Sequence, residues 1–240
     1  MRILLRYFPW KDYQLSRTFI ENSAVKLMNH EKKGHAKVAF PSQNYICFKE
    51  DDTTYYLVRT NVFMHLIDSM LYEAKDNFPE KFGTGNADDV LEALYNHYPF
   101  GELSWFKNFL KDDQFCYAIA QRNEQFDPLI LRIDLFRKLD DNANGGRDFT
   151  GGLLHALKHF SHEGIPLSTG SEINNISHVN DFLADIAVGF FTTPHVHEKK
   201  DNYIVIVPIS DEYQLRVSVF LEKVTGVYFV NTVFKEKRPL

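Results

Sequence analysis

The amino-acid sequence predicts an α+β protein in which helices pack on an antiparallel sheet that ends in a three-stranded C-terminal meander. The meander is the clearest of three signals. Residues 203–209, 214–222 and 227–235 are β-rich runs joined by short polar links. Parallel pairing would need a crossover of about a dozen residues, so these strands must be antiparallel. A second signal is the helical recurrence of Phe63, Leu66, Ile67 and Met70, and again of Leu153, Leu154, Leu157 and Phe160. The third is composition: 44% hydrophobic and 25% charged residues is ordinary globular usage, enough for a sizeable core.

Taken in chain order, residues 37–48 and 54–60 read as strands joined by a turn at 49–53. A helix is expected over 62–75, with Asn61 as its N-cap. Two shorter helices, at 88–97 and 104–111, flank the breaker around Pro99 and Gly101. A seam near 111–114 divides the chain into an N-terminal α+β module, 1–112, and a C-terminal α+β domain, 113–240. Strands at 115–121 and 129–135 follow it. Residues 140–148 are dense in turn formers and read as an exposed loop. A helix over 151–162 ends at Gly164, with Pro166 beyond it. Residues 164–178 are loop-like, and a last helix spans 180–190 with Asn180 as its cap.

The net charge of −5 argues against a general nucleic-acid coat, which needs a broad basic surface to displace counterions. A site gripping one or two phosphates is compatible with it. Residues 199–240 carry seven basic and five acidic side chains, a local balance of +2. Cys47 and Cys116 are the only cysteines, and their apolar neighbours mark them as buried thiols. With no signal-peptide pattern and no run near the roughly 20 apolar residues of a membrane span, the expected compartment is the cytoplasm. Phosphate-loop, dinucleotide and nucleophile-elbow motifs are missing, and no cofactor is implied.

Chemistry-bearing residues gather in three places. On the 151–162 helix, His155, His159 and His162 recur at i, i+4 and i+7, away from the apolar arc. They are solvent-facing residues, acid–base groups titrating near neutral pH, or metal ligands; the zinc-protease pattern is missing because no Glu follows His155. A second place is His195 and His197, whose alternation on an extended segment points both rings to one side. Asp185 or Asp201 is the candidate third ligand if a metal binds there. The third is the last hairpin. A three-residue loop at 223–225 would set Arg216 opposite Thr232 and Ser218 opposite Val230, joining a guanidinium and a hydroxyl on one face. A loop one residue longer would pair Thr232 with Val217 instead.

A histidine-bearing helix with His155 and His159, followed by an antiparallel meander whose last strand carries Thr232 within 230–234, resembles the barnase/endoribonuclease-U/colicin/RelE-type superfamily of small ribonucleases over residues 113–240. The resemblance implies metal-independent cleavage of RNA by attack of a 2′-hydroxyl on the adjacent phosphate. It implies acid–base roles for His155 and His159, charge stabilisation by Arg216, and orientation of the phosphate by Thr232. Lys158 and Tyr228 would bind substrate. RNA is then the partner, and residues 1–112 a targeting, inhibitory or packaging module. Two other classes stay open: a non-catalytic interaction protein resembling an immunity or inhibitor protein, and a metal-dependent hydrolase built on His195 and His197.

Overall fold

A computed structural model describes residues 2–9, 44–59, 63, 114–123, 125–141, 147–156, 176–224 and 226–239. These residues form twelve strands and one long helix: β1 (Arg2–Pro9), β2 (Asn44–Glu50), β3 (Thr53–Arg59), β4 (Phe115–Arg122), β5 (Gln125–Phe126), β6 (Ile130–Asp134), β7 (Lys138–Asp141), β8 (Arg147–Thr150), α1 (Ile176–Thr192), β9 (Val196–Lys199), β10 (Asn202–Pro208), β11 (Tyr213–Glu222) and β12 (Val227–Lys237). Residues 152–156 are also helical, as is Phe63. The expected helices at 88–97 and 104–111, the rest of 62–75, and His159, His162 and Lys158 lie outside the described residues. No helix among the described residues is long and apolar enough to cross a membrane.

The main sheet has ten strands, in the order β1-β2-β3-β4-β6-β12-β11-β10-β9 with β5 paired beside β4. The meander is present: β10 pairs β11 and β11 pairs β12, both antiparallel. One pairing departs from an antiparallel sheet. β12 lies parallel to β6 through Val227↔Ile130, Tyr228↔Leu131 and Phe229↔Arg132. The long chain between β6 and β12 makes such a crossover possible, whereas short links forbid it within the meander. The sheet also runs through the seam near 111–114, since β3 and β4 pair from Thr53↔Arg122 to Arg59↔Cys116.

Alternation sorts the strands into two faces. Ile46, Phe48, Tyr55, Leu57, Cys116, Ala118, Leu131, Ile133, Val217, Val230 and Val233 form one face, and they share a core with α1. The helix contributes Val179, Phe182, Leu183, Ile186, Ala187 and Phe190, the recurrence of an amphipathic helix. Gly189 lets it approach β10 closely: a Cβ there would lie 2.0 Å from Val207 Cγ2. The other face is smaller, with Cys47, Tyr56, Val58, Phe115, Tyr117, Ile119 and Val227.

Two local expectations are corrected. α1 begins at Ile176, so Asn180 is an interior residue and not a cap. Its Oδ1 accepts a 2.6 Å hydrogen bond from Nη1 of Arg59, a wholly buried arginine of β3, and that tertiary bond explains a polar residue at this position. Residues 140–148 are not an open loop throughout. Asp140 pairs with Asp148 and Asp141 with Arg147 as parts of β7 and β8, while 142–146 lie outside the described residues.

The end of α1 is held by side chains as well as backbone. Thr192 Oγ1 donates to Val188 O at 2.7 Å, Thr193 Oγ1 donates to Gly189 O, and His195 Nε2 lies 2.7 Å from Phe190 O. The contacts to Gly189 O and Phe190 O satisfy carbonyls of the last turn that have no partner within the helix. Pro194 follows and cannot continue it.

Candidate functional site

The β11–β12 hairpin starts in the register of the longer loop and leaves it at a bulge beyond Val219. Glu222 pairs with Val227 across a four-residue connection, 223–226, in which Gly226 has φ +73° and its amide donates to Glu222 O at 2.8 Å. Glycine tolerates that left-handed conformation, so the connection runs one residue past Thr225. A β-bulge then inserts Asn231. Val219 pairs with Val230, and the next pair is Ser218↔Thr232. Arg216 consequently faces Phe234. A longer loop alone would have paired Thr232 with Val217; the bulge shifts it once more.

This bulge lies where β12 leaves β6. Pairing between the two stops at Phe229, and beyond it Arg137 and Gly151 reach the bulge at Asn231. Buried Gln114 secures that chain: its Nε2 donates to Phe136 O at 2.9 Å, and its Oε1 accepts from Phe136 N at 3.1 Å. The β7–β8 hairpin then pairs Lys138 with Thr150, which brings its entry at Arg137 back beside its exit at Gly151. Gly151 and Gly152 have φ +72° and +81°, and they turn the chain into the helical residues 152–156. A Cβ on Gly151 would lie 2.9 Å from the carbonyl oxygen of Asn231.

An open pocket of about 540 Å³ results, lined by Arg137, Thr150, Gly151, His155, Asn231 and Thr232. Leu153, Leu154 and Ala156 are buried in the core while His155 is partly exposed at the pocket wall. Arg137 rests its guanidinium over the rings of Phe229 and Phe220, at 5.1 and 5.9 Å from their centroids. Its Nη1 donates to Asn231 Oδ1 at 2.6 Å, and Asn231 Nδ2 donates to Asn202 Oδ1 at 3.3 Å. Among the described residues Arg137 makes no ion pair. The Thr232 hydroxyl is buried and meets no hydrogen-bond partner among the described residues. Leaving such a group unsatisfied costs about 1–3 kcal/mol, unless a ligand or water completes it.

The structure therefore brings His155 and Thr232 into one pocket and leaves the other described candidates elsewhere. Arg216 is not a lining residue, and its Nη2 is bound to Glu198 Oε1 at 3.0 Å. Tyr228 turns to the opposite face of β12, where it packs on Phe190 and His195 at ring separations of 5.2 and 5.3 Å. Burial, then the neighbouring Tyr203, pushes its phenol above the usual value, so it stays protonated near neutral pH. Arg137 takes the cationic place that the sequence assigned to Arg216. Arg137 lies two residues beyond the strand expected at 129–135, where no motif of the sequence singles it out.

His195 and His197 each turn Nε2 to a backbone carbonyl. His195 Nε2 is at Phe190 O, whereas His197 Nε2 is 2.6 Å from Lys200 O and its ring meets Tyr203. Among the described residues no three His, Cys, Asp or Glu side chains gather as a metal-binding group.

A guanidinium, a hydroxyl and an imidazole around one open pocket can hold a tetrahedral oxyanion and move protons beside it. No family model, no curated protein and no solved structure compared with the chain matches it.

Proposed function

We propose that this protein cleaves RNA, with the phosphodiester seated in the pocket between Arg137, Thr232 and His155. The observation that carries the reading is a pocket that brings together an imidazole, a cation without an ion-pair partner among the described residues, and a buried hydroxyl without a hydrogen-bond partner among them. In this reaction a base removes the proton of the ribose 2′-hydroxyl, whose oxygen attacks phosphorus. An acid protonates the departing 5′-oxygen as the P–O5′ bond breaks. The products are a 2′,3′-cyclic phosphate and a 5′-hydroxyl. His155 serves at the phosphate as one proton-transfer group, and His159 retains the second role that the sequence assigns it. Arg137 and Thr232 stabilise the charge that builds on the non-bridging oxygens. Arg216 no longer belongs to the proposal, because Glu198 already neutralises it.

A net charge of −5 agrees with a substrate held at one cationic spot and not along a broad surface. RNA also fits the cytoplasmic setting expected from two buried, unbridged thiols.

Cleavage of a mixed single-stranded RNA pool is the test, with and without chelator, by the wild type and by His155→Ala. Chelator-resistant cleavage that falls about 10²–10⁴-fold in the variant is expected. Failure to cut any RNA, or full activity in His155→Ala, overturns the reading.

A further inference from the structure

We infer that the bulge of β12 builds a phosphate subsite in which Asn231 is a positioning residue: its carboxamide holds the Arg137 guanidinium beside the Thr232 hydroxyl. The inference rests on the proposed function for its choice of phosphate among oxyanions. The geometry belongs to the site itself.

In a regular ladder, successive side chains of β12 would alternate between the two faces. The extra residue breaks that alternation, since Val230 and Val233 both lie in the core beneath α1 while Asn231 and Thr232 between them both line the pocket. Bulges near sites commonly re-aim side chains in this way. Asn231 Oδ1 occupies one N–H of Arg137 at 2.6 Å, and Asn202 fixes the far side of the carboxamide at 3.3 Å. A guanidinium has five N–H donors in a planar fork. The remaining donors can grip the oxygens of one phosphate group, a geometry that a lysine cannot reproduce, and rotation of Thr232 about χ1 would turn its buried hydroxyl toward the same group. The aromatic support of Phe220 and Phe229 orients the cation without neutralising it.

The experiment is thermal unfolding of the full chain against increasing inorganic phosphate at constant ionic strength, with chloride as control. A ligand that binds only the native state raises Tm with its concentration. Wild type is expected to show a phosphate-dependent rise with an apparent Kd near the millimolar range, about that of a weak single-ion site. Thr232→Val should abolish the rise while its phosphate-free Tm stays equal or increases, because the unsatisfied hydroxyl is gone. Asn231→Leu should lose both Tm and the phosphate response. Asn231→Asp keeps an acceptor for Arg137, so its Tm should be retained while the added carboxylate cancels the response. A residue with a merely structural role would not separate those two readouts. Arg137→Lys should weaken binding about tenfold.

A wild type without any phosphate response, or one whose response survives in Thr232→Val and Asn231→Asp, overturns the subsite. Phosphate binding without RNA cleavage would remove the ribonuclease reading and leave the subsite standing. RNA cleavage that neither phosphate nor Asn231→Asp affects would do the reverse.

Discussion

Strand β12 has two faces that solve opposite problems. Toward α1, Tyr228, Val230 and Val233 enter an apolar core with Phe190, where shape complementarity decides stability. Toward the pocket, Asn231 and Thr232 leave a space of about 540 Å³ and a buried hydroxyl without a partner among the described residues. The first arrangement lowers the free energy of the empty protein. The second raises it, and such a cost is characteristic of sites that await a ligand. A single extra residue in the ladder separates the two.

The largest expected effects lie on the core side. Gly189→Ala would force a methyl group to within 2.0 Å of Val207 Cγ2, so α1 must lift from β10. A loss of about 3 kcal/mol, measured by urea unfolding, is expected, with partial recovery in the double variant Gly189→Ala/Val207→Ala. Gly152→Ala comes next. Its Cβ would approach Asp134 O and Phe136 Cα at 2.8 Å, and its φ of +81° disfavours any side chain. About 2 kcal/mol should be lost, together with the phosphate response, since this turn carries the pocket wall.

Smaller effects sharpen the contrast between faces. Val230→Thr places a hydroxyl in the core beneath α1 and should cost about 1–2 kcal/mol. The reverse exchange on the pocket side, Thr232→Val, should cost nothing. Equal losses from both would show that the pocket hydroxyl is an ordinary structural group. The weakest effect at neutral pH belongs to Cys116. Burial pushes its thiol from 9.0 up to about 12, with Arg59 opposing the rise. As pH climbs above 9.0 the unfolded chain releases this proton and the folded chain keeps it, so stability falls across that interval until about 12. Cys116→Ala should flatten this part of the alkaline stability profile. An unchanged slope would mean that the thiol ionises in the folded protein.

Patterns that depend on nearest neighbours were legible from the sequence. The three strands of the meander, β2 through β4, and a helix over 180–190 follow from local patterns of the chain, although α1 begins four residues earlier. His155 was recognisable because Leu153 and Leu154 define the buried side of its helix. Thr232 was named as well, but for a pairing with Arg216 that the structure replaces by Ser218. Strand β1 carried no such signal. Its short apolar run is interrupted by Arg6, and its place in the sheet comes from pairing with β2.

The rest required tertiary structure for a definite reason. A strand's composition sets which residues favour extension, but a loop of 223–226 and one bulged residue determine which side chains share a face. The sequence alone determined an α+β chain with a C-terminal meander, a helical turn that carries His155 and a net charge of −5. Only long-range packing chose Arg137 over Arg216, because the cation's position depends on the parallel pairing of β6 with β12, residues nearly a hundred apart. No local propensity encodes a contact at that separation.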